Sequence, residues 1–256
     1  MELIALGFLI GLALALTGAG GSIVAVPLLM YVLDLRPQDA MGISLGAVSA
    51  AAMVGVLLRR RRGHPPIWNA VLALAVTGMF AAPLGRWISH QIDERVIVVL
   101  FSLLAVYLAK KMWSAEPQQS NPSRGNTDIE LLEIPSERVT FFGAGIGLGL
   151  LSGLFGVGGG FLIVPFLNLY ARMNIEKAIS TSLLVIALIG SSGYLYHVVT
   201  SPAHDNRALS VIGLGSIVGI LVGTQLSAQL SGKGIQKLFS GFVVLMMSYV
   251  LFRTLA

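Results

Sequence analysis

No cysteine occurs in the 256 residues. That excludes a disulfide framework, a thiolate nucleophile and a thiolate-bound metal or iron–sulfur centre. Charge is almost as scarce. Seventeen basic and 12 acidic residues make 11% of the chain, where soluble domains carry about 25%. Hydrophobic residues reach 55% and the mean hydropathy is +0.82. So few charges cannot coat a compact particle of 27.0 kDa, and most of its surface must face something other than water. An ordinary cytosolic enzyme and a disordered chain are excluded, and so is a nucleic-acid reader, despite a net charge of +5. The expectation is an integral membrane protein. Met1-Glu2-Leu3 has no basic n-region and the run after it is not short and cleavable, so the start is expected to belong to the mature fold.

Long apolar runs are what the chain has instead. They cover residues 3–33, 40–58, 68–87, 96–109, 141–171, 178–199, 208–230 and 235–252. A helix needs about 20 apolar residues to cross a bilayer core, and six runs fit one crossing, the 96–109 run being extended by snorkelling Lys110 and Lys111. Barrel strands would be shorter and alternate with period two. The predicted fold is an all-α polytopic membrane protein.

Residues 114–138 are hydrophilic and read as a linker. The parts on either side are copies. Shifted by 138, residues 11–47 overlay residues 149–185 without a gap and with twelve identities, among them Gly11, Gly18, Gly20, Gly21, Pro27 and Ser44. The same shift pairs Gly85 with Gly223. The expected organisation is a first transmembrane repeat (1–113), the linker (114–138) and a second repeat (139–256), each of four hydrophobic segments. Such duplication is a transporter signature.

Glycine, at 30 residues, is concentrated in two places. The first run of each copy is too long for one span: residues 3–33 would make a helix of roughly 46 Å against a core of about 30 Å. Each run has a cluster near its middle, Thr17-Gly18-Ala19-Gly20-Gly21-Ser22 and Gly156-Val157-Gly158-Gly159-Gly160, with Pro27 and Pro165 following. Consecutive glycines and a nearby proline break helices, so each repeat is expected to begin with a Gly-broken helix or hairpin. Free N–H groups at such breaks suit an anion, and discontinuous helices of this kind form transporter substrate sites near the midplane. Gly18-Ala19-Gly20-Gly21 lacks the βαβ context and ribose-binding acid of a dinucleotide loop.

Two arrangements in the membrane remain open. If each long run crosses once, ten bases face seven across the bilayer. If each is a hairpin, Arg59 to Arg62, Arg124, Arg138, Arg172 and all five lysines share one side, twelve against five. The positive-inside rule favours the second, with inverted repeats and both termini outside.

No Asp or Glu lies within a run, which argues against a carboxylate relay. Arg86, His90, His197 and Lys237 fall near run ends, and His197 is expected to be an interfacial anchor. The polar inventory is hydroxyls, with Ser44 and Ser182 at equivalent places and Asn168 unmatched. Hydroxyls and backbone N–H groups can hold a small anion. The candidate substrate-binding set is Gly18, Gly20, Gly21, Ser22, Ser44, Gly156, Gly158, Gly159, Gly160, Asn168 and Ser182, with Pro27 and Pro165 keeping the helices broken. No metal, cofactor or nucleic acid is expected; the partners are an anion, lipid and, compatibly, a second copy in a homodimer.

A Gly-Gly-Ser or Gly-Gly-Gly cluster, then Val26-Pro27-Leu28 or Val164-Pro165-Phe166, then Ser44-Leu45 or Ser182-Leu183, all duplicated, resembles the TauE/SafE family of sulfite exporters. The resemblance covers the chain apart from the linker. It implies a prokaryotic inner-membrane permease, not an enzyme, exporting sulfite or an organosulfonate such as sulfoacetate. An anion channel on the same fold is the alternative, and a membrane-embedded enzyme a weaker one.

Overall fold

The structure is a computed structural model describing residues 2–17, 20–114, 135–156, 160–167, 173, 175–200, 206–227, 241, 243–245 and 247–252. Among the described residues every regular element is helical. In chain order these are α1 (Glu2–Thr17), α2 (Gly20–Val32), α3 (Pro37–Arg61), α4 (Trp68–Gln91), α5 (Glu94–Ser114), α6 (Pro135–Phe155), α7 (Gly160–Pro165), α8 (Ile175–Thr200) and α9 (Asn206–Ser227), then α10 (Val243–Phe252). The expected linker is helical at both edges, at Ser114 and from Pro135; the rest of it lies outside the described residues. Among the described residues four helices, α3, α4, α8 and α9, are long and apolar enough to cross a membrane.

α3 illustrates how the sequence sets a helix. Pro37 occupies the first turn behind an extended Arg36, where a missing N–H costs nothing. Asp39 sits in that first turn and Arg59, Arg60 and Arg61 in the last, each sign matching the helix dipole. Gly63, at φ +85°, then turns the chain away.

The lipid-facing side is plain on α4. Phe80 is 77% exposed, and Leu72, Leu84, Trp68 and Trp87 are each more than half exposed. In water such a patch would be an aggregation hazard; against lipid tails it is the expected surface. Trp68 and Trp87 stand 19 residues apart, about 28 Å at 1.5 Å per residue. That matches a hydrocarbon core of about 30 Å with an aromatic residue at each boundary.

Close packing inside depends on glycine. A Cβ on Gly7 would strike the Ile212 carbonyl, and one on Gly11 that of Ser216, so α1 lies parallel to α9 at backbone contact. Gly145 and Gly149 of α6 meet the Leu74 and Gly78 carbonyls of α4 in the same way. Between these pairs α3 and α8 run antiparallel: Gly42 faces His197, Gly190 faces Ser49, and Gly55 touches Leu183. Small residues at such seams are how helices associate where no hydrophobic drive exists.

The first long run is not one helix. Gly21 at the start of α2 lies against Ile10 and Leu14 of α1, so the chain doubles back after Thr17. The second run breaks at Gly156, whose φ of +66° ends α6. Replacing Gly149 by Leu is expected to destabilise the fold at the upper end of the about 1–3 kcal/mol typical of overpacking, because the obstacle is Gly78 backbone. Gly147→Ala, with open space around it, should leave the melting temperature in detergent unchanged.

Candidate functional site

The main departure from expectation concerns His197, which is 5% exposed and so is not an interfacial anchor. Arg86, expected only to lie near a run end, is 0% exposed. On α4 the lipid side of this turn is taken by Leu84 and Trp87, and a rotation of about 100° per residue turns Arg86 inward.

There Arg86 meets α3 and α8. Its Nη2 donates to the Gln38 carbonyl and stands 3.3 Å from His197 Nδ1. Nη1 reaches the Met41 sulfur at 3.6 Å, and Nε–H has no acceptor among the described residues. Ser89 Oγ adds a 3.9 Å contact to the same sulfur. Gly156 packs directly on Met41, too close for any side chain. Met41 therefore joins the second glycine break to the buried arginine.

The other end of α3 carries a counterpart of different character. Arg59 is also buried, and its Nη1 donates to Glu176 Oε2 at 2.6 Å. Its Nη2 donates at 3.3 Å to the Ala15 carbonyl, in the last turn of α1 just before the first break. Arg62 donates to the Thr224 carbonyl of α9. One arginine thus serves each break, but only Arg59 touches a carboxylate. Asp39 acts on Arg86 only through space, its carboxylate being held by Arg36 Nε at 3.2 Å.

The described candidate residues do not gather into one centre. Met41 and Arg59 mark the two breaks and are 18 residues apart on α3, about 27 Å. A single midplane site built from both glycine clusters is therefore corrected to two places, because each hairpin doubles back near a different end of α3. Gly20 and Gly21 open α2 and Gly160 opens α7, while Pro27 is buried within α2. Gly18, Gly158, Gly159 and Asn168 lie outside the described residues, as do the side chains of Ser22 and Pro165.

Ser44 and Ser182 differ despite their equivalent positions. Ser182 Oγ donates to the Ile179 carbonyl of its own helix at 2.9 Å. Ser44 is fully buried and its Oγ has no partner. It sits one turn beyond Met41, on the same face of α3. Ser49, Ser191, Ser216 and Thr224 all bond their own helices. Sequence reasoning passed over Arg86, Met41 and the Gln38 carbonyl; the available signal was an arginine inside the apolar run 68–87. Among the described residues no group of three His, Asp or Glu comes together to hold a metal.

An all-helical bundle, apolar outside and with charged side chains enclosed at both ends of its central helix pair, is a membrane protein of the transporter class. The chain belongs to the TauE/SafE family: residues 3–250 match the family described as sulfite exporter TauE/SafE. It is 33% identical over 253 residues to a probable membrane transporter protein of Xylella fastidiosa, covering 98% of this chain and 94% of that one. A probable membrane transporter protein of Haemophilus influenzae is 29% identical, covering 91% and 87%. One of Methanocaldococcus jannaschii is 26% identical, covering 88% and 86%. No solved structure matches.

Gly156→Ala should be poorly tolerated. The left-handed backbone alone costs roughly 1–2 kcal/mol, and the new methyl would displace Met41. The expected outcome is a lowered melting temperature with reduced transport, measured on the same preparation.

Proposed function

We propose that the chain is a secondary transporter moving a small anion, sulfite or an organosulfonate such as sulfoacetate, outward across a prokaryotic inner membrane. The substrate class rests on the family's description as a sulfite exporter. The transport mechanism rests on one observation, a register shared by two sets of contacts. Gly7 meets Ile212 and Gly11 meets Ser216; Gly145 meets Leu74 and Gly149 meets Gly78. Every residue in the first set is 138 positions from its counterpart in the second.

That register supports two copies, residues 1–113 and 139–256. Their third helices, α3 and α8, are counterparts and run antiparallel, as inversion requires. The Arg59 end of α3 then lies with the start of α8 and the linker on the cytoplasmic side, following the positive-inside rule. Both termini lie outside. One break falls toward each face of a shared α3–α8 core, which suits alternating access: one hairpin loosens while the other stays closed. Backbone N–H groups at the second glycine break, together with Ser44, hold the anion. The hydroxyl of Ser182 serves its helix first, and Asn168 makes the two halves unequal.

In proteoliposomes, sulfite or sulfoacetate flux should saturate and show counterflow. Linear flux without counterflow would instead favour an anion channel on the same fold, and no flux of either anion would sink the transporter reading. The absence of native cysteine allows a clean topology test. Arg61→Cys should react with a membrane-impermeant maleimide only from the cytoplasmic side and Gln91→Cys only from outside; the reverse pattern would overturn the orientation.

A further inference from the structure

Among the polar groups enclosed by the bundle, Arg86 is the one charge without a carboxylate in contact among the described residues. A cation removed from water is costly unless an anion and hydrogen-bond acceptors replace its hydration. Arg86 has partners, but none is a carboxylate: the Gln38 carbonyl, the Met41 thioether and the His197 ring. A thioether is a weak acceptor, and Nε–H has none. A few ångströms away through Met41 stands the turn at Gly156, and one turn along α3 stands a second orphan, the Ser44 hydroxyl.

The equivalent end of the bundle makes the contrast. Arg59, beside the first break, is neutralised by Glu176. An anion placed there would compete with a resident carboxylate. At the second break no acidic side chain among the described residues contacts the cation, so an arriving anion restores both charge balance and missing hydrogen bonds.

We propose that Arg86, at the second glycine break, is the charge-recognition residue for the transported anion, with Ser44 Oγ as an accessory donor and His197 as the group that orients the guanidinium. This deepens the transporter reading and rests on it. The ligand is a small oxyanion of the sulfite or sulfonate type, whose oxygens can accept from Nε–H and Nη1–H together. The planar guanidinium suits such groups better than an ammonium would. His197 is a positioning residue: with Nδ1 accepting from Arg86, the neutral ring carries its hydrogen on Nε2 and holds Nη2 in place. Arg86 lies beside Trp87, at the level of one boundary of the apolar span, so the anion is held near one face of the bilayer. A shallow site of this kind spares the anion from resting at the hydrocarbon centre.

The test uses the purified full chain, with sodium sulfite and sodium sulfoacetate as probes and sodium chloride at matched ionic strength as reference. Binding is read by thermal shift and calorimetry, and flux in proteoliposomes. Wild type should melt higher with sulfite or sulfoacetate than with chloride. Arg86→Met should bind at least about 30-fold more weakly, the loss expected when one partner of a buried charge pair is truncated. Without ligand it should melt no lower than wild type, because an uncompensated buried charge has been removed. A merely structural arginine would give the opposite pattern: lower intrinsic stability with affinity kept. Arg86→Gln gives the same readout should the methionine variant fail to fold, and Ser44→Ala should weaken binding several-fold. Affinity within two-fold of wild type in a folded Arg86 variant overturns the assignment while leaving the transporter reading intact. A wild type that neither binds nor transports any probe overturns both.

Discussion

Hydrocarbon offers a peptide group no hydrogen-bond partner, and that constraint organises this fold. Intact helices satisfy it internally; broken ones do not, and the two glycine breaks are tolerated only because protein covers them. At the first break Arg59 supplies a donor to the Ala15 carbonyl. At the second, Gly156 presses its backbone onto Met41 so closely that no side chain would fit. The glycine seams of α1 with α9 and α4 with α6 follow from the same need, since they bring covering helices to backbone distance. Glycine thus has two opposed uses here. It breaks helices in clusters and binds them together when spaced along a face.

Two similar ends with unequal charge are what this scaffold offers a ligand. On the proposed register of 138 residues, Arg59 corresponds to His197 and Glu176 to Gln38. The first end therefore holds an ion pair where the second holds an imidazole and a backbone carbonyl, with Arg86 entering from α4. Its counterpart on α9 is Thr224, which bonds the Ile220 carbonyl of its own helix. On that proposed register the side chains differ, so one end holds an ion pair and the other has no carboxylate contact among the described residues. A transporter gains from that inequality, because two equally strong sites would hold the substrate at both faces rather than pass it on.

Much of the architecture was readable in advance. Eleven per cent charge and eight apolar runs required a helical membrane protein, and the glycine clusters marked both places where the long runs are interrupted, while Pro27 lies inside continuous α2. Less of the site was readable. By sequence Arg86 falls only near the end of an apolar run and outside the candidate set, while His197 is expected to be an interfacial anchor. Linear distance from a run end does not say which way a side chain points. Leu84 and Trp87 face lipid, leaving Arg86 the inward side of the same turn. Ser44 and Ser182 were indistinguishable by position, yet one hydroxyl bonds its own helix and the other has no partner.

The sequence by itself determined composition, and with it the solvent: a chain this poor in charge can only be coated by lipid. It also indicated where the two long runs are interrupted, because glycine clusters weaken the helical ladder, although Pro27 itself lies within α2. Tertiary structure alone decided what meets at those stops. Each hairpin doubles back near a different end of α3, so the breaks lie about 27 Å apart along that helix instead of sharing one midplane centre. It also decided that Glu176 reaches Arg59 while no described carboxylate reaches Arg86. Arg59 and Glu176 are 117 positions apart, and only the packing of whole helices brings them within hydrogen-bonding distance.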